Sequence, residues 1–310
     1  MRVLLINPPS PADTTINREG AAGFGNRYRE AGAFLYPPHT LATAAAVLRE
    51  AGYGVSIFDA TAERAPCCRE TLERLVTARP DVLVLLVSWS GWDDDLFFAE
   101  VLRAGRPDLP LVLIGPVLRD ERRAEYAAQI ADLVLVGEPE AALPAACREV
   151  TVAATGAVVP ARELEPAAYD EESYLLDLDA LPVPAWDLVD AAHYRMLTVL
   201  GSRGCDGSCS YCPYRIGWGS KLRLCSAGRL VHEVGVVAGR YRPARLAFRD
   251  PAFAANRQRV VDLCNGLLAE RVAAAWECES RPEYFDADLL RLMHRAGCAT
   301  VKVGLESADA

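Results

Sequence analysis

The chain has 310 residues, 51% of them hydrophobic, and a formal net charge of −9. That length can bury the core of two domains, and the acidic balance gives bulk electrostatics no hold on nucleic acid or an anionic membrane surface. The opening MRVLLINPPSP is too short an apolar run for a secretory signal, and no run approaches the ~20 residues that span a bilayer, so the sequence describes a cytoplasmic protein.

Residues 1–150 alternate strand and helix. RVLLIN (2–7) reads as a buried strand ended by Pro8 and Pro9, and a polar loop with Gly20, Gly23 and Gly25 follows. A helix over 38–52 leads into a strand at 53–60, a helix near 67–78, a strand at 81–90 and a helix near 93–105. Asp93, Asp94 and Asp95 sit where carboxylates favour a helix N-terminus. A strand at 109–116, a helix near 121–131, a strand at 132–138 and a helix near 140–148 complete the pattern. Five apolar strands alternating with helices predict a parallel, doubly wound sheet with any ligand in the crevice at the strand C-termini. The candidates there are Asn7 and Pro8, Ser88, Gly115, and the pair Gly137 and Glu138. His39, after two prolines at a helix start, is a further possible contact.

Residues 151–195 lose this periodicity and are acidic and proline-punctuated, which predicts an inter-domain linker. From 196 the alternation returns, with strands at 198–204, 244–250, 272–281 and 299–307 and helices near 226–239, 256–270 and 286–296. Four such repeats describe the first half of a (β/α) barrel, and a parallel sheet ending there would have an open edge, so the expectation is a fragment or a chain completed by a partner.

Ten cysteines in a reducing compartment argue against a disulfide framework. Three of them, Cys205, Cys209 and Cys212, fall in GSRGCDGSCSYCPY directly after the first barrel strand, where barrel enzymes place their chemistry. Three thiolates on one loop can hold three corners of a [4Fe–4S] cube and leave the fourth iron open. Cys225 is the rival fourth ligand of a closed zinc site, but a triplet with one distant cysteine departs from the paired hairpins that structural zinc favours.

The C-x₃-C-x-Tyr-C loop, with Tyr211 at the aromatic place, resembles the signature of the radical S-adenosylmethionine (SAM) enzymes. FRDPAF (248–253) resembles the second-strand segment that helps hold the SAM amino group, and WECESRPE (276–283) and VGLES (303–307) resemble the third- and fourth-strand motifs of the cobalamin-associated branch. LLINPPSP, DLVLVGEPE and LPVPAWDL resemble its flavodoxin-like cobalamin-binding domain and linker. The resemblance implies that Cys205, Cys209 and Cys212 ligate the [4Fe–4S] cluster, with Tyr211 close by and Asp250, Glu306 and Ser307 facing SAM. It places cobalamin in the crevice of the first domain, without a D-x-H-x-x-G histidine as a lower ligand.

The function so implied is cobalamin-dependent methylation of an unactivated carbon on a small molecule, driven by a radical from SAM. An electron donor such as flavodoxin or ferredoxin would serve it, with neither nucleic acid nor membrane as partner. The alternatives are a rearrangement or cyclisation with or without cobalamin, a zinc-binding module, and an inactive remnant.

Overall fold

The computed structural model describes residues 1–30, 32–65, 69–152 and 156–304. The first domain runs β1 (Arg2–Asn7), β2 (Thr15–Asn17), β3 (Asn26–Tyr28), α1 (His39–Glu50), β4 (Gly54–Asp59), α2 (Arg69–Thr77) and β5 (Val82–Leu86). It continues through α3 (Trp92–Gly105), β6 (Leu111–Ile114), α4 (Glu121–Ala127), β7 (Leu133–Val136), α5 (Leu143–Val152), β8 (Ala157–Pro160) and α6 (Ala161–Leu164). The main sheet has the order β4-β1-β5-β6-β7-β8, with every pairing parallel.

Strand side chains alternate between two cores, as a pleated sheet covered on both faces requires. Val3, Leu5, Val82 and Val84 pack with Leu41 and Leu48 of α1, whereas Leu4, Ile6, Leu83 and Leu85 pack with Phe98 and Leu102 of α3. The chain reverses its winding between β1 and β5, and that is the switch point of the sheet.

Two elements depart from the sequence expectation. The sheet has a sixth strand, β8, drawn from the stretch expected to be linker. Its AVVP is partly exposed and ends in proline, as an edge strand does, and so lacks the buried-strand signature. The rest of that stretch is packed rather than loose. Leu175, Leu178, Ala185 and Trp186 are buried, and Ala185 N donates to Ala42 O of α1 at 2.9 Å. The second departure is the short antiparallel β2–β3 pair inside the loop after β1.

The second domain runs β9 (Leu197–Val199), β10 (Ser202–Arg203), α7 (Tyr214–Trp218), β11 (Arg223–Leu224), α8 (Ala227–Tyr241) and β12 (Leu246–Phe248). It closes with α9 (Arg257–Ala269), β13 (Trp276–Glu279), α10 (Ala287–Arg295) and β14 (Cys298–Lys302). Its parallel sheet has the order β14-β13-β12-β9, an open half barrel as expected. Ser226, Asn256 and Asp286 cap α8, α9 and α10, each accepting the backbone N–H three residues on, so each helix starts at a fixed point beside its strand. Among the described residues no helix is long and apolar enough to cross a membrane.

Candidate active site

The cysteine loop is held at both ends. Gly204, at φ 76°, has no room for a Cβ, which would stand 2.0 Å from Lys221 O. Cys205 N donates to Gly219 O at 3.1 Å, and Cys212 N donates to Cys209 O at 3.3 Å. All three thiols are free; Cys205 is half-buried, and Cys209 and Cys212 are exposed. Arg281, just beyond β13, directs Nη2 at Cys209 Sγ, 3.7 Å away, and passes so close to Gly207 that a Cβ there would meet it at 2.3 Å. Tyr211 points outward, 66% exposed.

Among the described residues no three His, Cys, Asp or Glu side chains gather as they would around a single metal ion. Cys225 stands apart from the loop chemistry. Its buried thiol donates to Leu200 O at 3.7 Å, and burial, with Glu233 and Asp250 adding to it, pushes its pKa up to about 12. In the metal-free chain such a thiol packs as a small apolar side chain.

A cavity of about 430 Å³ begins at Cys212 and Pro213 and runs along the C-terminal ends of β12 and β13 to Lys302 at the end of β14. Its roof comes from the first domain: Glu19, Asn26, Tyr28, Phe34, Tyr36 and His39. Arg249 joins roof to floor. It donates to Glu19 O, faces the Glu19 carboxylate at 3.7 Å and lies 4.0 Å over the Tyr36 ring. Burial raises the Glu19 carboxyl above its ordinary range, Arg249 opposing.

Asp250 lines this cavity, and both its oxygens are engaged. Oδ1 accepts from Gly201 N at 2.8 Å and Oδ2 from Arg259 Nη2 at 2.9 Å, while Arg259 Nη1 reaches Gly201 O at 2.6 Å. This buried clamp fixes the turn between β9 and β10, and through it the start of the cysteine loop. Each oxygen keeps lone-pair capacity for a further donor. Glu306 and Ser307 lie outside the described residues.

Of the expected crevice pair, Gly137 packs against Ser173 and Ala161, and Glu138 joins the two domains. Arg223 meets both Glu138 oxygens, at 2.8 and 2.6 Å, and Leu175 N donates to Oε2 at 2.8 Å. Arg203 reaches Glu140 at 2.6 Å. Both arginines flank the cysteine loop, so the pairs set its height over the first domain. His39 adds a neutral contact, with Nδ1 3.1 Å from Thr198 Oγ1 of β9 and its ring edge-on to Trp186. Burial, then the charges of Arg203 and Arg249, lowers its pKa to about 3.

At the switch point Arg18 lies across the strand ends, and beside it a cavity of about 500 Å³ opens among Pro9, Ser10, Thr61, Ala65, Asp94 and Phe97. Arg18 donates to Asp95 Oδ1 at 2.9 and 2.5 Å, to Pro8 O and Thr61 Oγ1 at 2.8 Å, and to Asn7 Oδ1 at 3.3 Å. Ser88 sits below, its N and Oγ both directed at Asp95 Oδ2. Gly25 passes over Ser88 and Ser90, where a Cβ would meet Ser90 Oγ at 2.3 Å, and Ser90 N donates to Phe24 O. Gly115, at φ 146°, lies against Val87 O, with Pro116 packed under Gly23. Asn7, Pro8, Ser88 and Gly115 therefore do stand at the strand ends as expected, but beneath residues 15–28.

The half barrel with a three-cysteine loop after its first strand, joined to a doubly wound domain, has the fold of the cobalamin-dependent radical SAM enzymes. No protein-family model matches the chain. It is 25% identical over its whole length to an uncharacterized methyltransferase of Pyrococcus horikoshii. It is 24% identical, again over its whole length, to the anaerobic magnesium-protoporphyrin IX monomethyl ester cyclase of Synechocystis sp.. The chain spans 66% and 62% of the lengths of these two curated relatives. Among solved structures, the radical SAM methyltransferase TsrM of Kitasatospora setae matches 98% of this chain, 59% of its own, with a TM-score of 0.70 and 17% identity. TsrM has been solved with cobalamin and a [4Fe–4S] cluster, and with tryptophan and a SAM analogue.

Proposed function

We propose that the chain is the cluster- and SAM-binding part of a cytoplasmic radical SAM enzyme that methylates a small molecule, with flavodoxin or ferredoxin as electron donor. The observation that carries this is the cavity that starts at Cys212 and follows the barrel strand ends under a roof from the first domain. Its volume lies within the usual range for small-ligand sites, about 300–1,000 Å³.

The residues fit a [4Fe–4S] cluster: three free thiols on one anchored loop, with the Arg281 cation beside them to offset the negative charge of a thiolate-bound cluster. They also fit SAM, whose amino-acid end could meet Asp250 beside the loop. When bound, the cluster supplies one electron to split SAM and begin radical chemistry. The chain's own part is to hold three thiols apart, to orient SAM along the strand ends and to keep water out beneath the roof. Asp250 and Arg259 fix the loop's entry, and His39, uncharged, adds no positive charge to the cavity.

Cobalamin is the cofactor of the related fold, and methylation is the activity named for two of the proteins above. Arg18 lies buried across the switch point, so cobalamin seated on Ser88 and Gly115 must displace it. That observation favours a second reading, radical SAM chemistry without cobalamin.

Anaerobic reconstitution with iron and sulfide, followed by reduction with dithionite and incubation with methyl-labelled SAM, tests the proposal. Iron, sulfide and release of labelled methionine are expected. Labelled methyl on a product separates methylation from the second reading, and zinc without sulfide would refute both.

A further inference from the structure

Tyr214, the first residue of α7 and two past Cys212, is buried and lines the cavity, and among the described residues its hydroxyl has no hydrogen-bond partner. Buried hydroxyls are almost always partnered, because an unmet donor loses its water and gains nothing. Arg203 lines the same cavity. Its Nη2 is taken by Glu140 at 2.6 Å, and its Nη1 faces Glu138 Oε2 at 3.3 Å. Trp218 ties the two together, with the Arg203 guanidinium 5.0 Å from its ring centre and the Tyr214 ring 6.4 Å away.

One unmet hydroxyl on the cavity wall, with a buried guanidinium in the same wall, describes a seat for an anionic acceptor. A carboxylate is such a group, and hydrogen bonds to it are the strong kind. We propose that Tyr214 Oη donates to the carboxylate of the SAM methionyl moiety, with Arg203 beside it. This rests on the SAM-binding reading above. It adds a binding residue from the cysteine loop's own helix to the strand-end candidates, and it gives the buried hydroxyl a partner only when SAM is present.

The two roles of the hydroxyl predict opposite signs. In the SAM-free protein, Tyr214→Phe removes an unpartnered buried group, so the thermal midpoint stays level or rises. In the cluster-loaded protein, the same change removes one charge-assisted hydrogen bond, so the Kd for labelled SAM in anaerobic equilibrium dialysis weakens about tenfold per cluster. Unaltered SAM affinity in Tyr214→Phe overturns the proposal alone. A lowered midpoint together with weaker binding overturns it too, by giving the hydroxyl a structural partner. Wild-type protein that carries the cluster yet binds no SAM overturns the reading beneath it as well.

Discussion

Arg18 and Asp95 form an ion pair at 2.5 Å with side chains 1% and 0% exposed, directly over the ends of β1 and β5. The pair joins the loop after β1 to the first turn of α3, and Asp95 also receives Ser88 N at 2.8 Å. Burial raises the Asp95 carboxyl, and Arg18 together with the Ser88 donors pulls it back toward the charged form.

Removing one partner of a buried pair leaves the other charged and alone. Asp95→Ala is therefore expected to cost about 3–5 kcal/mol in urea unfolding. The double change Arg18→Met with Asp95→Leu recovers part of this, because no charge is stranded. Recovery stays incomplete, since Ser88 N loses its acceptor. A single variant as stable as wild type would show that the pair opens to water.

The same pair makes a prediction about cobalamin. Residues 15–28 cover Ser88, Ser90 and Gly115, so a cofactor seated at those strand ends must lift them. Hydroxocobalamin binding, followed by its visible spectrum, is expected to expose this segment to limited proteolysis, and Arg18→Ala to speed binding about tenfold. Tight binding with the segment still protected would place the cofactor elsewhere.

His39 makes stability depend on pH in a defined direction. Its pKa falls from an ordinary 6.5 to about 3 in the folded chain, so below pH 6.5 the unfolded state takes up a proton that the folded state refuses. Its contribution is complete above 6.5 and is lost toward acid, by about 1.4 kcal/mol per pH unit. Buried Glu233, raised to about 7 by burial against the pull of Arg229, acts with the opposite sign. The measurement is therefore a difference. Between pH 7 and 5 the stability of wild type minus that of His39→Asn should fall, and a flat difference would mean that His39 can charge in place.

How much of this was legible in the sequence depends on whether a residue's partner was local. β1, β5 and β6 announce themselves because a strand buried on both faces must be apolar throughout. The cysteine loop is legible because its spacing is itself the chemistry. β8 is not, since four residues at a sheet edge carry no periodicity. Arg18 is invisible too: it meets Asp95 across 77 residues, and nothing near Arg18 in sequence announces that it is buried. Glu138 shows a further failure. Its GEPE motif sits at a strand end as a ligand site would, yet its partners are Arg203 and Arg223 of the other domain. Tyr214 could have been noticed as an aromatic beside the third cysteine, but only the cavity shows that its hydroxyl is unmet.

The cysteines separate most cleanly by experiment. Cys205, Cys209 and Cys212 share a loop whose thiols are free and partly exposed, whereas the Cys225 thiol is buried, protonated and bonded to Leu200 O. Replacing any one of the three loop cysteines with Ala should abolish the visible absorbance of the reconstituted cluster, because each holds one corner. Cys225→Ala should keep iron and sulfide at wild-type content and cost only the packing of a small buried side chain, about 1 kcal/mol. If Cys225→Ala lost metal as completely as Cys212→Ala, a closed four-cysteine site would replace the open one, and no iron would be left free to meet SAM.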